Sequence, residues 1–519
     1  MTAGATLASL LSLAALGLVA LAPACSSSSN KGGPGGGGND EGGTSSGGLM
    51  LGDGEAAVLC EAGSNLQCQE STCPNGGSTT ISGTVFDPAG KNPLYNVAVY
   101  VPNATPAALP SGVTCASCSD LYTQPIASAV TDASGSFKIL NAPSGQNIPL
   151  VVQVGKWRMQ YTLATVASCA DNPQPSGSLR LPKNHMEGNI PDIAISTGGA
   201  DSLECLPLRM GIDATEYVPG GSTAGRIHIF QGYMGATTMP AAPRSSAALW
   251  SSDTSLEPFD ITLFSCEGAP TSGGGPMLTS QNQQYLLDYV NNGGRVFASH
   301  FHYAWFTSGP FTSIATPPLM TWTANTLMGQ SATIDDQSTF FGAINATTAA
   351  DGGTFPEGVA LDAWLGNVGA LTNGELPFFY ARDNVISTNT PAQVWLTLDK
   401  SKMSANDVMK LSSDSSSAPP QYLSFDLPLN VGVESSKCGR VVYSDLHVSG
   451  GPGANEPPLN GGAPVLADYG TGGSAGIAPT GCAMHPLTPQ EKALEFMIFD
   501  LSSCLIPIGQ MSMPPNLPQ

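Results

Sequence analysis

The chain has 519 residues, 41% of them hydrophobic, which is too long for one ordinary core and predicts two compact units with extensions. Only 11% of residues are charged, and 61 glycines with 42 prolines announce many turns and loops. With 18 basic against 39 acidic residues the net charge is -21, so nucleic acid is not expected as a partner; without a Gly-X-Y period or heptads, collagen and coiled coil are excluded too.

Residues 7–21 are apolar or small apart from Ser9 and Ser12. That is the length of a signal-peptide h-region and short of the roughly twenty residues that cross a bilayer as a helix. Residues 1–24 therefore read as an export signal. The Gly/Ser/Asn run from Asn30 to Gly48 cannot pack, which argues against a buried helix here. Residues 25–77 form a tether with a Cys-rich end, and about twenty flexible residues span roughly 25 Å. The junction Leu21-Ala22-Pro23-Ala24-Cys25 resembles the lipobox of bacterial lipoproteins. The resemblance implies lipid on Cys25, membrane attachment through it, and a place in the cell envelope, at the outer membrane or cell surface. Cleavage after Ala24 without lipid is the alternative.

If one of the twelve cysteines, Cys25, carries lipid, an odd number remains and at least one thiol stays outside a disulfide. In an exported protein most of the others are expected in disulfides. Cys115-Ala116-Ser117-Cys118 lacks a second pair at knuckle spacing, which disfavours structural zinc.

Over 78–200 short alternating runs predict a β-sandwich. Thr79–Phe86, the turn Asp87–Lys91 and Leu94–Val101 read as a hairpin, with further strands at 127–131, 136–140, 148–154 and 157–163. Ser82-Gly83-Thr84-Val85-Phe86-Asp87 and Thr131-Asp132-Ala133-Ser134-Gly135-Ser136-Phe137 resemble the carboxypeptidase regulatory-like (transthyretin-like) domains, with an insertion from Asn103 to Asp120. That resemblance implies a non-catalytic spacer or adhesion module, and an unrelated sandwich would carry the same expectation.

Over 205–504 the pattern changes. Apolar strands at 225–230 and 259–265, a helix at 281–290 ended by Gly293-Gly294, and a strand at 295–299 predict a parallel sheet with helical cover. Gly439–Ser444 is a further strand, and Thr488 caps a helix that opens with Pro489 and Glu491. The class is α/β plus all-β: a sandwich, then a flavodoxin-like parallel sheet with helices on both faces, and a disordered tail at 505–519. The segments 259–268, Leu287–Val296 and Gly439–His447 resemble the class I glutamine-amidotransferase-like superfamily and its ThuA-like members. Those enzymes place a cysteine nucleophile at the elbow after the Gly-Gly turn. Here Ala298-Ser299-His300-Phe301-His302 occupies it, so their mechanism does not carry over.

Ligands of open parallel sheets bind beyond the carboxyl ends of the strands. Three such ends carry polar groups: Cys266-Glu267, Ser299-His300-Phe301-His302 and Asp445-Leu446-His447. The expected ligand-binding residues are Glu267, Ser299, His300, His302, Asp445 and His447. An extended His-x-His puts both imidazoles on one side, so His300, His302 and His447 are the candidate ligands of a divalent metal. The plainer reading is that the aromatic neighbours Phe301, Tyr303, Trp305 and Phe306 pack this segment into a core, with no cofactor. Cys266 is a weak nucleophile candidate, and His185 and His485 read as surface residues. The expected function is a non-catalytic binding or scaffolding role in the envelope, with a carbohydrate or envelope component as partner. The alternative is a metal-assisted hydrolase or carbohydrate-modifying enzyme of ThuA-like type, with His300, His302, Asp445 and His447 as its catalytic candidates.

Overall fold

A computed structural model describes residues 66–115, 121–122, 125–238, 244–270, 275–276, 278–329, 338–429, 431, 437–447, 468, 476–506, 510 and 513–515. The export segment, Cys25, the tether up to residue 65 with Cys60, Cys118 and most of 448–475 lie outside them. Among the described residues no helix is long and apolar enough to cross a membrane. The protein combines an all-β part with a mixed α/β part, and neither closes into a barrel.

Eight strands come first: β1 Thr80–Phe86, β2 Ala98–Pro102, β3 Pro125–Val130, β4 Ser136–Ile139, β5 Gly145–Val154, β6 Trp157–Val166, β7 Asp171–Pro173 and β8 Leu179–Arg180. They form two sheets, β4-β1-β7 with β8 also on β1, and the antiparallel β3-β2-β5-β6. Ile81, Val85, Phe137 and Ile139 of the first share a core with Val99, Val101, Leu150 and Val152 of the second. The expected hairpin between the first two runs does not form, because β1 and β2 belong to different sheets. The chain crosses between sheets at 92–96, where Asn96 takes a φ of 60° and only the Phe86–Pro93 bridge links the two runs.

The remaining strands are β9 Ile193–Thr197, β10 Tyr217–Pro219, β11 Ile227–Gln231, β12 Thr237–Thr238, β13 Ile261–Phe264, β14 Arg295–Ser299, β15 Met320–Trp322, β16 Phe340–Ile344, β17 Leu376–Phe378, β18 Val385–Thr388, β19 Gln393–Leu398, β20 Pro420–Leu427, β21 Gly439–Ser444 and β22 Ile477–Ala478. Ten of them make one sheet in the order β10-β11-β9-β13-β14-β21-β20-β19-β16-β17. Neighbours from β10 to β21 are parallel, and β20, β19, β16 and β17 extend the sheet antiparallel. Strand β9 lies inside the sequence range assigned to the sandwich, yet it is an inner strand of this sheet. The sandwich strands end at Arg180.

The parallel strands are apolar on both faces, as a sheet covered on both sides requires. Ile193, Ile195, Ile229, Leu263, Phe297 and Val442 pack with Leu494, Met497, Ile498 and Leu501 of the helix Pro489–Ser502. Ala194, Phe264, Val296, Ala298 and Val441 pack with Leu286, Tyr289 and Val290 of the helix Ser280–Asn291. Both helices begin with a capping box, Thr279 with Asn282 and Thr488 with Glu491.

The sandwich and the larger sheet share one hydrophobic core. Phe496 stacks on Tyr95 at 5.7 Å, Phe499 meets Trp157 edge-on at 5.6 Å, and the Trp364 indole donates to Pro93 O at 2.6 Å. Disulfide Cys115–Cys438 ties the insertion of the sandwich to the loop before β21. Cys73–Cys169 and Cys205–Cys482 are also bridged.

At this junction the Glu495 carboxyl is buried beside Asp87 and accepts from Asn92 Nδ2 at 2.6 Å. Burial first, and the Asp87 charge second, push it well above its ordinary value of 4.5. The folded state keeps a proton that the unfolded chain releases. Stability from this group is therefore full below about pH 4.5 and falls as the pH rises toward the folded value. Glu495→Gln is expected to raise the urea midpoint at pH 8 and leave it nearly unchanged at pH 4. A lower midpoint at pH 8 would contradict this account.

Candidate functional site

Because β9, β13, β14 and β21 run parallel and in register, their carboxyl ends lie side by side: Phe264 pairs with Ser196 and Ala298, and Ser299 with Ser444. The residues just beyond them are Asp201, Cys266, Glu267, His300, Asp445 and His447, all buried. The structure thus brings the three sequence-predicted strand ends onto one rim.

His300 is the first residue after β14 and sits at φ 39°, a left-handed conformation that costs a non-glycine residue about 1–3 kcal/mol. Tyr443 OH lies 3.1 Å from the His300 carbonyl oxygen and can donate to it. From His300 the chain enters a 3-10 turn through Trp305, so the extended His-x-His geometry does not occur. With three residues per turn, side chains two apart diverge.

His302 is accordingly engaged elsewhere. Its Nε2 lies 2.9 Å from Ser265 O and its Nδ1 accepts from the Trp305 indole at 3.0 Å. A carbonyl can only accept, so Nε2 carries the proton and both nitrogens are used. Burial lowers its pKa to about 4, keeping the ring neutral. This arrangement is structural and leaves His302 no lone pair for a metal.

His300 Nδ1, in contrast, lies 2.9 Å from His447 Nε2 and 3.5 Å from Cys266 Sγ. The three donor atoms all lie within 4.8 Å of one another. Burial pushes both imidazoles well below their ordinary pKa, helped for His300 by His447 and Arg382 and for His447 by Arg382. Burial also pushes the Cys266 thiol up to about 12. All three groups are neutral at physiological pH, and a neutral buried thiol is not a nucleophile. Zinc bond lengths and tetrahedral angles require N···N and S···N separations of about 3.3 and 3.5 Å; the Cys266–His300 separation of 3.5 Å matches, and the two imidazole nitrogens, at 2.9 Å, would have to part slightly. Cys205, Asp468 and Cys482 also converge, but the two cysteines are bonded to each other.

The other expected residues surround this cluster without joining it. Asp445 Oδ1 lies 2.9 Å from Tyr443 OH, whose one proton is shared between it and the His300 carbonyl, Oδ2 accepts from Asn384 N at 2.8 Å, and burial raises Asp445 to about 7. It braces the tyrosine that reaches the His300 backbone. Ser299 Oγ donates to Asp201 Oδ2 at 2.6 Å. Glu267 is raised to about 7 by burial, accepts from the Tyr233 backbone and Ser246, and has its Oε1 without a partner. His185 contacts Glu216 at 2.7 Å, and the His485 side chain is only 11% exposed, more enclosed than its polar loop suggests.

Sequence reasoning missed Asp201 and Arg382 and underweighted Cys266. Asp201 was findable, since Ile193-Ala194-Ile195-Ser196-Thr197 followed by Gly198-Gly199 is a short apolar run closed by a turn signal. Arg382 follows no recognisable element and is brought in only by the fold.

No family model matches the chain, and no curated protein does. Among solved structures, the chain is similar to an N-terminal interface mutant of a type II cohesin–X–dockerin complex from Acetivibrio cellulolyticus, at 13% identity over 29% of this chain and 88% of that one, with a TM-score of 0.16. A C-terminal interface mutant of the same complex matches at 16% identity over 28% and 79%, with a TM-score of 0.14.

Cys266 is expected to resist iodoacetamide in the folded protein at pH 8 and to be alkylated fully in urea, as read by peptide mass spectrometry. Rapid labelling without denaturant would show that the cluster is open to solvent.

Proposed function

We propose that the protein is an exported, lipid-anchored binding protein of the cell envelope whose α/β part holds a transition-metal ion on Cys266, His300 and His447. The single observation that carries this reading is the meeting of one thiol and two imidazoles around one point in a dry interior. Thiolate and imidazole together suit zinc or another borderline-to-soft ion rather than magnesium or calcium. In this reading the sandwich is a regulatory-like spacer and the second part is a ThuA-like relative of the amidotransferases. Two features support the relationship. The strands β11-β9-β13-β14-β21 follow the flavodoxin-like order 2-1-3-4-5, and the turn after β14 keeps a left-handed residue where those enzymes place their cysteine. With histidine at that turn the role is binding, and the outward partner is a carbohydrate or another envelope component.

A second reading follows from the ligand count. Three protein ligands leave a fourth position open, as in catalytic zinc sites, which fits a metal-assisted hydrolase.

The purified protein is expected to bind close to one equivalent of zinc, measured by elemental analysis after dialysis. Cys266→Ser and His447→Ala should each weaken binding by about 100-fold or more, beyond the roughly 10–100-fold typical of removing an outer partner. Unchanged zinc content in both variants, with both folded, would remove the proposal. For the anchor, wild type is expected in the membrane fraction with acyl mass on Cys25, and Cys25→Ser in the released fraction. Identical fractionation of the two would refute lipid attachment.

A further inference from the structure

Beside β11, lined along its length by Arg226, His228 and Phe230, lies a cavity of about 680 Å³, within the range that holds small ligands. Its inner wall carries Phe230 and Phe259, and its sides carry Arg226, Arg244 and His228. Ser111 and Gly112, from the insertion of the sandwich, close another side, held by Val113 N donating to Glu257 O at 2.8 Å.

The polar groups are unevenly matched. Asp192 takes Arg226 at 2.8 Å and His228 Nε2 at 3.0 Å. Since a carboxylate accepts, Nε2 carries the proton in the neutral ring, and Nδ1 is then the acceptor. That atom is buried and, among the described residues, has no partner, in a residue only 4% exposed. A buried acceptor left unsatisfied costs free energy that a ligand donor would recover. The Arg244 guanidinium lies across Gly221, whose missing side chain makes room for it, and among the described residues no carboxylate pairs with it. Ser222, Thr223 and Ser255 add hydroxyls, and Glu257 stands exposed at the lip.

We propose that this cavity binds a hydroxylated carboxylate of the uronic-acid class. A ligand carboxylate pairs with Arg244, a ligand hydroxyl donates to His228 Nδ1, and the serine and threonine hydroxyls meet the remaining ring substituents. An unpaired guanidinium is itself notable in a chain of net charge -21, where cations are scarce and acidic partners abundant. A neutral sugar would leave Arg244 unmatched, and a simple inorganic anion would leave His228 without a donor. The cavity shares no lining residue with the Cys266–His300–His447 cluster, which lies beyond the carboxyl ends of β13, β14 and β21.

The test is isothermal titration calorimetry of the purified chain with glucuronate, with glucose as the neutral analogue. Saturable glucuronate binding is expected, with glucose at least tenfold weaker. Arg244→Ala, at an exposed position, should weaken glucuronate by about tenfold or more without moving the thermal midpoint, and Arg244→Lys should restore part of it. Failure of glucuronate to saturate at about 10 mM, equal binding of glucose, or an unchanged affinity in Arg244→Ala would each overturn the proposal.

Discussion

The helix Pro489–Ser502 has almost no solvent face: Gln490, Glu491 and every residue from Ala493 to Leu501 are buried. One side packs on the central strands of the large sheet and the other on the sandwich, through Phe496 and Phe499. Each such aromatic contributes about 1.5–3 kcal/mol by leaving water, and here the gain is made only if both layers are present. The polar residues of the helix obey the same constraint. Glu491 pairs with Arg209, Asp500 with Arg440 of β21, and Gln490 donates to the carbonyl of His447. A buried charge or amide is tolerated only with a partner, so these bonds fix the helix in one register. The last of them fixes the loop that carries His447, which links the packing of the two layers directly to the rim.

The insertion of the sandwich closes the junction from the other side. Thr114 O sits where a side chain at Gly293 would have to be, and Gly293 needs its φ of 113° to end the Ser280 helix. Lys156, at the tip of the β5–β6 turn, reaches Gly112 O and the buried Asp260. Gly155 beside it lies against the backbone of Ser502. What sequence composition presents as a spacer followed by a second domain is therefore one compact body in which the two sheets of the sandwich and the ten-stranded sheet share a core, and residues of both parts line the cavity beside β11.

Much of this was readable from local pattern. The strands at 261–264, 295–299 and 439–444 are short apolar runs, and the capping sequence at Thr488 is unambiguous, so the rim and its three polar ends followed from the sequence. Pairing was not local. Two alternating runs around Asp87–Lys91 look like a hairpin, yet nothing in them says that β4 will compete for β1 and β5 for β2. The placement of β9 failed for a similar reason, since a five-residue strand carries no mark of the sheet it joins. At the site, His300 and His302 are two residues apart, and their fates separated because a 3-10 turn begins between strand and loop without a proline or glycine to signal it. Cys266 met His300 only through adjacency of parallel strands, which spacing along the chain does not encode.

The strained elbow and the dry cluster make sense together. A left-handed histidine persists only where its surroundings hold it, here with Tyr443 on its carbonyl and Asp445 behind Tyr443. The result is an imidazole nitrogen aimed at a second imidazole and a thiol, with all three groups neutral because charging any one in that interior is costly. An ion of charge two held by Cys266, His300 and His447 would change that balance: it would stabilise the thiolate and take a lone pair of each ring, where His300 Nδ1, with one proton or one lone pair, cannot serve both neighbours fully. Competition between His447 and Cys266 for a single nitrogen is the physical feature on which the proposed metal site rests.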